Sequence, residues 1–302
     1  MFRIVGTLFS GRVGLAFGSF LNVCLTRSPA GESVVKPRSH CRDCGHTLAW
    51  WENVPVLSWI ALRGRCRRCG GWIGWRYPIV ELAVASIWAT IAWQAIGQLN
   101  DALTIPGSEG AISFSPMALA QVCATLGGML LLTLVLVGLA ALDAEHLWLP
   151  DSVTLPGIVL GIVVTVVRGE PLVTTGQFNP SLVYLLLNLA FAILIAGGSI
   201  LLIHWLYWLI RRREGIGLGD AKLMAMLAAW LGLPGTLLAF VLGVLIGALI
   251  GLSLLLRPRT RQDTEAPGLL KLPLGTFLCI GGIVSALWGS QIISLYLVWA
   301  GF

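Results

Sequence analysis

Long apolar runs alternate along this chain with short polar breaks. Eight runs are predicted, at about 4–26, 79–98, 117–142, 152–168, 181–210, 221–233, 235–256 and 273–297. A helix of roughly 20 apolar residues crosses about 30 Å of hydrocarbon, and most of these runs reach that length. The helical form follows from the solvent, because inside lipid every backbone N–H and C=O needs a partner within its own segment. The alternating pattern of a membrane β-barrel is absent. The stretch 181–210 is long enough to tilt. The stretch 221–233 is short and abuts Pro234, so it is expected to form a tight hairpin with 235–256. Arg12 falls inside the first run and is expected to snorkel to the outer interface. The start of the chain lacks the basic cluster, apolar run and small-residue cleavage site of a removable signal peptide.

Composition narrows the class. Of 302 residues 57% are hydrophobic and 11% charged, against about 25% charged in soluble proteins. That balance excludes a soluble enzyme, a nucleic-acid factor and a disordered chain. The net charge of +6 is then a topology signal, with no nucleic-acid partner implied. Arginines and lysines crowd 27–78, 211–220 and 257–272, while 99–116 and 169–180 have none. The positive-inside rule places 27–78, 143–151, 211–220 and 257–272 in the cytoplasm and, with eight spans, both termini outside.

The first basic loop holds a second pattern. Four of the seven cysteines read Cys41-Arg-Asp-Cys44 and Cys66-Arg-Arg-Cys69, each pair followed by glycine, Gly45 or Gly70. Two such knuckles predict a tetrahedral Cys₄ zinc site. Four sulfurs leave no open position, so the metal is read as structural, and a reducing cytoplasm disfavours two disulfides. His40 and His46 flank the first knuckle as reserve ligands, and of five tryptophans between Trp50 and Trp75 some are expected to form a small core and others to sit at the headgroup level. A loop of about 50 residues needs such a staple.

Two acids stand at span edges. Asp143 ends the third span, and Asp220 opens the sixth behind Gly215, Gly217 and Gly219. The predicted topology puts both at one membrane face. Paired carboxylates sharing a proton are the machinery of aspartic proteolysis. The glycines allow close backbone approach to a substrate strand. Asp220 opens a helix and Asp143 closes one, so the macrodipole argument makes Asp220 the ionised base and Asp143 the protonated acid. Lys222 is expected at the headgroups. Glu81 and Asn22 lie within spans and need partners near the site or in substrate contact.

These residues resemble the type IV prepilin peptidases, the leader peptidases of type IV pilus and type II secretion systems. The resemblance rests on Phe17-Gly-Ser-Phe-Leu-Asn22, Pro37-Arg-Ser39-His-Cys41, Asn53-Val-Pro55, Arg76-Tyr77-Pro78-Ile-Val-Glu81, Leu142-Asp143 through Asp151, and Gly217-Leu-Gly219-Asp220-Ala-Lys222. It implies an all-α polytopic membrane protein of about eight transmembrane helices. A zinc-stapled cytoplasmic domain (27–78) separates helix 1 (1–26) from a seven-helix membrane domain (79–302). It implies a bacterial inner-membrane aspartic endopeptidase that removes the basic leader of prepilins or pseudopilins at the cytoplasmic face. Its catalytic pair would be Asp143 and Asp220, with Gly217, Gly219, Lys222, Glu81 and Asn22 shaping the site. Cys41, Cys44, Cys66 and Cys69 would hold Zn²⁺. Many such enzymes also methylate the new N-terminus with S-adenosylmethionine. The first knuckle departs from many relatives, which have proline after the first cysteine. Two other classes fit the residues alone: an ion-coupled transporter using the two aspartates as proton carriers, and a non-catalytic assembly protein that docks through its zinc module.

Overall fold

The computed structural model describes residues 2–103, 116–169, 182–212, 217–256 and 272–301. Among these residues eight α-helices follow one another: α1 (Phe2–Arg27), a short α2 (Leu57–Ala61), α3 (Arg76–Leu103), α4 (Pro116–His146), α5 (Asp151–Arg168), α6 (Leu182–Arg211), α7 (Leu218–Leu255) and α8 (Leu274–Ala300), with one 3₁₀ turn at Trp50–Asn53. All but α2 are long and apolar enough to cross a membrane. The predicted runs fall on these seven helices, with 221–233 and 235–256 both inside α7. The basic loop 257–271, Gly215 and the bare connections 104–115 and 170–181 lie outside the described residues.

The chain divides into two compact units: residues 1–116 with 129–138, and residues 117–128 with 139–302. The first is built on an antiparallel pair, α1 and α3. Small residues let the two backbones approach, the usual device where lipid removes any hydrophobic drive between helices. A Cβ built on Gly14 would stand 2.8 Å from Cα of Ala85, and one on Gly18 would stand 2.7 Å from Cα of Glu81. Polar clips pin the two ends. Arg3 donates to the Trp93 carbonyl at 3.1 Å and lies over its ring at 3.8 Å, and Asn22 Nδ2 donates to the Tyr77 carbonyl at 3.0 Å. Arg12 is exposed along α1, and nothing in the structure explains it.

The second unit turns on a break in α7. Gly232 has φ 68° and ψ 178°, which no helix accommodates. Gly235, Gly243 and Gly247 face Ser285, Leu278 and Phe277 of α8 in descending order, and Gly251 faces Leu272 just before it. The segment after Gly232 therefore runs antiparallel to α8. Gly219, at the start of α7, reaches the same end: its built Cβ lies 3.3 Å from Leu149 Cδ1, which lies 2.9 Å from that of Gly275. Both ends of α7 thus lie toward the start of α8, the first through Leu149. The expected hairpin is present, and the described residues make eight apolar passes in seven long helices.

A break exposes carbonyls that lipid cannot satisfy. Side chains take them up. Thr165 Oγ1 donates to the Ala229 carbonyl at 2.9 Å, Thr236 Oγ1 to Gly232 at 2.7 Å, and Ser285 Oγ to Gly235 at 2.7 Å. Trp230 Nε1 donates to the Gly157 carbonyl at 2.8 Å, which ties α5 to the same turn.

The α1–α3 contact predicts a split between two glycines. Gly18→Ala meets backbone and is expected to cost about 1–3 kcal/mol. Gly198→Ala meets nothing within 4 Å and is expected to change stability by less than about 0.5 kcal/mol. Thermal unfolding in detergent reads both, and equal shifts would contradict the packing described.

Candidate active site and cysteine centre

Asp143 sits in the last turn of α4 and Asp220 in the first turn of α7, and both side chains are buried. They belong to the same unit. Leu149 bridges their surroundings, touching Gly219 beside Asp220 and Gly275 beside Asp143. A Cβ on Gly275 would lie 2.9 Å from Asp143 Oδ2, so only glycine lets α8 come this near. The two carboxylates are close enough for the charge of Asp143 to act on Asp220, and Cys279 is buried where it feels both.

Each carboxylate has its own set of donors. Gly217 precedes α7 in extended conformation, and its backbone is hydrogen-bonded to the Asp220 side chain. Asp143 Oδ2 accepts the Thr276 backbone N–H at 2.6 Å, with the Thr276 hydroxyl at 3.1 Å. That hydroxyl also lies 3.0 Å from the Ala140 carbonyl, so its single hydrogen has two acceptors. Thr276 is in the first turn of α8, whose free N–H groups carry the positive end of the helix dipole. Asp143 therefore closes one helix and caps another. The dipole of α4 disfavours its charge, whereas that of α8 favours it.

Thr276 and Leu149 escaped the sequence reading. The available signal was Pro273 before an apolar run, which marks a helix start with unsatisfied donors. Nothing in the sequence says which acid those donors meet. Lys222 turns instead to Asp151, with Nζ 2.6 and 2.7 Å from its two carboxylate oxygens. Glu145 and His146 stand 3.9 Å apart at the end of α4.

The other site residues lie in the first unit. The sulfurs of Cys41, Cys44, Cys66 and Cys69 all fall within 4.8 Å of one another. Cys41–Cys69 is 3.8 Å and Cys44–Cys66 is 4.0 Å. Four sulfurs at about 2.3 Å from one zinc stand about 3.8 Å apart, so the donor set fits a tetrahedral ion.

The two knuckles are built alike. Cys41 N donates to His46 O and Gly45 N to Cys41 O, while Cys66 N donates to Gly71 O and Gly70 N to Cys66 O. Gly45 and Gly70 sit at φ 68° and 72°, conformations that glycine adopts without strain. As thiols, Cys66 and Cys69 hold their protons differently. Backbone N–H groups of Cys69 and Arg68 draw Cys66 down to about 6. Cys69 takes a backbone bond from Gly71, yet its contacts with Cys44, Cys66 and Cys41 push it up to about 12. His40 bonds the Arg38 carbonyl and His46 pairs with Glu52, so the four-sulfur cluster includes neither. Trp59, Trp72 and Trp75 pack mutually beside it, with centroids 4.5 to 6.0 Å apart, although Trp72 and Trp75 are exposed and only Trp59 is half-buried.

Asn22 and Glu81 belong with this loop. Glu81 Oε2 accepts the N–H of Val56 at 2.7 Å, holding a β-branched residue at φ 59°. That conformation is costly without such a clamp.

Residues 13–95 match the bacterial peptidase A24 N-terminal domain, and residues 130–252 match the type IV leader peptidase family. A prepilin leader peptidase/N-methyltransferase of Pseudomonas aeruginosa is 34% identical over 96% of this chain and 93% of its own. The protein of that name from Stutzerimonas stutzeri is 31% identical over 95% and 92%, and one from Burkholderia pseudomallei 36% over 92% and 84%. No solved structure gives a significant match.

The sulfur geometry predicts about one zinc per purified chain by metal analysis. Cys44→Ser is expected to lose it and to lower the melting midpoint. Full retention of metal in Cys44→Ser would rule out the four-sulfur site.

Proposed function

The chain belongs to the type IV leader peptidase family and is a peptidase, and from that membership we propose that it cuts the basic leader from prepilins or pseudopilins with Asp143 and Asp220. One observation carries this reading: two buried carboxylates from distant parts of the chain converge where both ends of α7, the end of α4 and the start of α8 meet. Burying two acids side by side in an apolar bundle is costly unless they share a proton. Family membership leaves the transporter and docking-only readings without support.

Hydrolysis then needs one carboxylate ionised and one protonated. The ionised partner takes a proton from water, and the oxygen attacks the scissile carbonyl. The protonated partner donates to the carbonyl oxygen. Collapse of the tetrahedral adduct breaks the C–N bond, and the proton taken from water passes to the leaving amine. We assign the base to Asp143, because charge-assisted bonds favour the ionised form and Thr276 supplies both its N–H and its hydroxyl. This reverses the order drawn from the helix dipoles of α4 and α7 alone. Gly217 and Gly219 leave room for an extended substrate strand beside Asp220, and Lys222 serves the site through its pairing with Asp151.

The basic residues of 27–78 and Arg211 and Arg212 support a cytoplasmic placement of the dyad end. The protein is accordingly an inner-membrane protein with both termini on the periplasmic side. Residues 27–78 form its cytoplasmic domain, between helix 1 and the helices of 79–302. Zn²⁺ on Cys41, Cys44, Cys66 and Cys69 stabilises that domain. By its relatives' names the protein also methylates the new N-terminus, with S-adenosylmethionine as donor.

Mass spectrometry of a prepilin co-expressed with the enzyme reads cleavage site and methyl count together. Asp143→Asn and Asp220→Asn are each expected to reduce cleavage by at least about 10³-fold. Normal processing by both would end the protease assignment.

Thr276 is assigned as a positioning residue for Asp143. Thr276→Val is expected to lower kcat by about 10-fold with KM little changed, and Thr276→Ser to restore it. A valine variant with native kcat would remove that role.

A further inference from the structure

We propose that Leu149 is the wall of the subsite that receives the residue supplying the scissile carbonyl, and that it limits that residue to a small side chain. The inference rests on the proteolytic part of the function proposed above. Leu149 belongs to no helix. It sits on the short link 147–150 between α4 and α5, yet it is only 8% exposed. Its neighbours Leu147 and Trp148 are exposed, so the link turns Leu149 inward while they stay outside.

That side chain reaches the surroundings of both acids. Leu149 Cβ lies 3.1 Å, and its Cδ1 3.3 Å, from a Cβ built on Gly219, the residue before Asp220. The same Cδ1 lies 2.9 Å from a Cβ built on Gly275, and that position is 2.9 Å from Asp143 Oδ2. Two short steps therefore join Leu149 to the carboxylate oxygen. The other flank of Asp220 is open. Among the described residues, a Cβ on Gly217 meets only Asp220 Oδ2 at 3.6 Å and the Gly219 backbone at 3.9 Å, and Gly217 and Leu218 are both exposed. An extended peptide thus enters along Gly217 and Leu218 and ends against Leu149.

Hydrolysis brings the scissile carbonyl within about 2.6–3.2 Å of the groups that exchange protons with it. The Cα of the residue that owns this carbonyl is about 1.5 Å from the carbonyl carbon. Its side chain therefore begins two bonds from the reacting atom. On the amine side the nitrogen intervenes, and the side chain begins one bond farther out. The acyl-side residue is the one that Leu149 meets first. Glycine clears the wall most easily, and a branched side chain overlaps it.

The link is held too firmly for Leu149 to act as a lid. On one side the Leu147 N–H donates to the Asp143 carbonyl at 2.9 Å. On the other, Asp151 opens α5, and its two oxygens accept from Lys222 Nζ at 2.6 and 2.7 Å. The N–H groups of Val153 and Thr154 both donate to the Pro150 carbonyl at 3.1 Å. Lys222 stands two positions beyond Asp220 on α7, so the link is tied to the helix that carries the acid. A wall fixed in this way selects by size.

The full-length enzyme in detergent, given a prepilin with glycine, alanine or valine as the residue that supplies the scissile carbonyl, tests the subsite through kcat/KM for each substrate. Wild type is expected to cut the valine substrate at least about 100-fold less well than the glycine one. Leu149→Ala is expected to raise the valine-to-glycine ratio by about 10-fold or more, and Leu149→Val to raise the alanine-to-glycine ratio. Leu149→Met, of similar volume, should keep the wild-type ratios. Damage to packing alone would lower all three substrates together and leave the ratios in place. Unchanged ratios in both smaller variants, loss of glycine cleavage in both, or a wild type indifferent to size would each overturn the subsite. Failure of the protease reading looks different, because Asp143→Asn and Asp220→Asn would then process the glycine substrate normally.

Discussion

The bond between Asp143 and the first turn of α8 organises the second unit. A carboxylate at the end of α4 accepts the N–H of Thr276, which otherwise would be an unsatisfied donor at a helix start. That single contact requires Gly275, because any side chain there would collide with the acid. It also fixes where Leu149 rests, and Leu149 in turn sets the approach of Gly219 and the start of α7. The proposed base is therefore also a structural cap, and the same atom serves folding and chemistry. Without that cap the start of α8 and the start of α7 would have no common reference.

The break at Gly232 shows how a bundle in lipid handles irregular backbone. Three hydroxyls and one indole cover the carbonyls that the break and its neighbours present. Each donor comes from a residue that hydropathy alone treats as a mild exception in an apolar run. Together they make the return of α7 possible, and with it a row of small residues, Gly235, Ala239, Gly243 and Gly247, against α8.

Much of this was legible beforehand. Apolar runs located all seven long helices, because length and hydropathy are local properties. The Pro234 signal pointed to the hairpin, although Gly232 is the residue that bends. The C-x-x-C pairs indicated one four-sulfur cluster, since ligand spacing is written in the chain. The partner of Asp143 was not legible, as Thr276 is 133 positions away and a threonine near a helix start has many uses. Glu52 was overlooked for a similar reason: a single acid in a polar loop looks solvated until the fold buries it. Asn22 and Glu81 were singled out as polar groups in apolar runs needing partners, and the structure answers with the main chain of Tyr77 and Val56.

The cysteine cluster and the carboxylate pair fall in different compact units of one chain. A metal held by four thiolates displaces their protons, so its retention depends on acidity, chelators and oxidants. Chelators and oxidants leave the aspartates untouched, and acid is the one agent that both sites answer to. Nutritional scarcity of the metal would therefore bear on one unit first, and two chemistries carried by a single polypeptide would answer to separate environmental supplies.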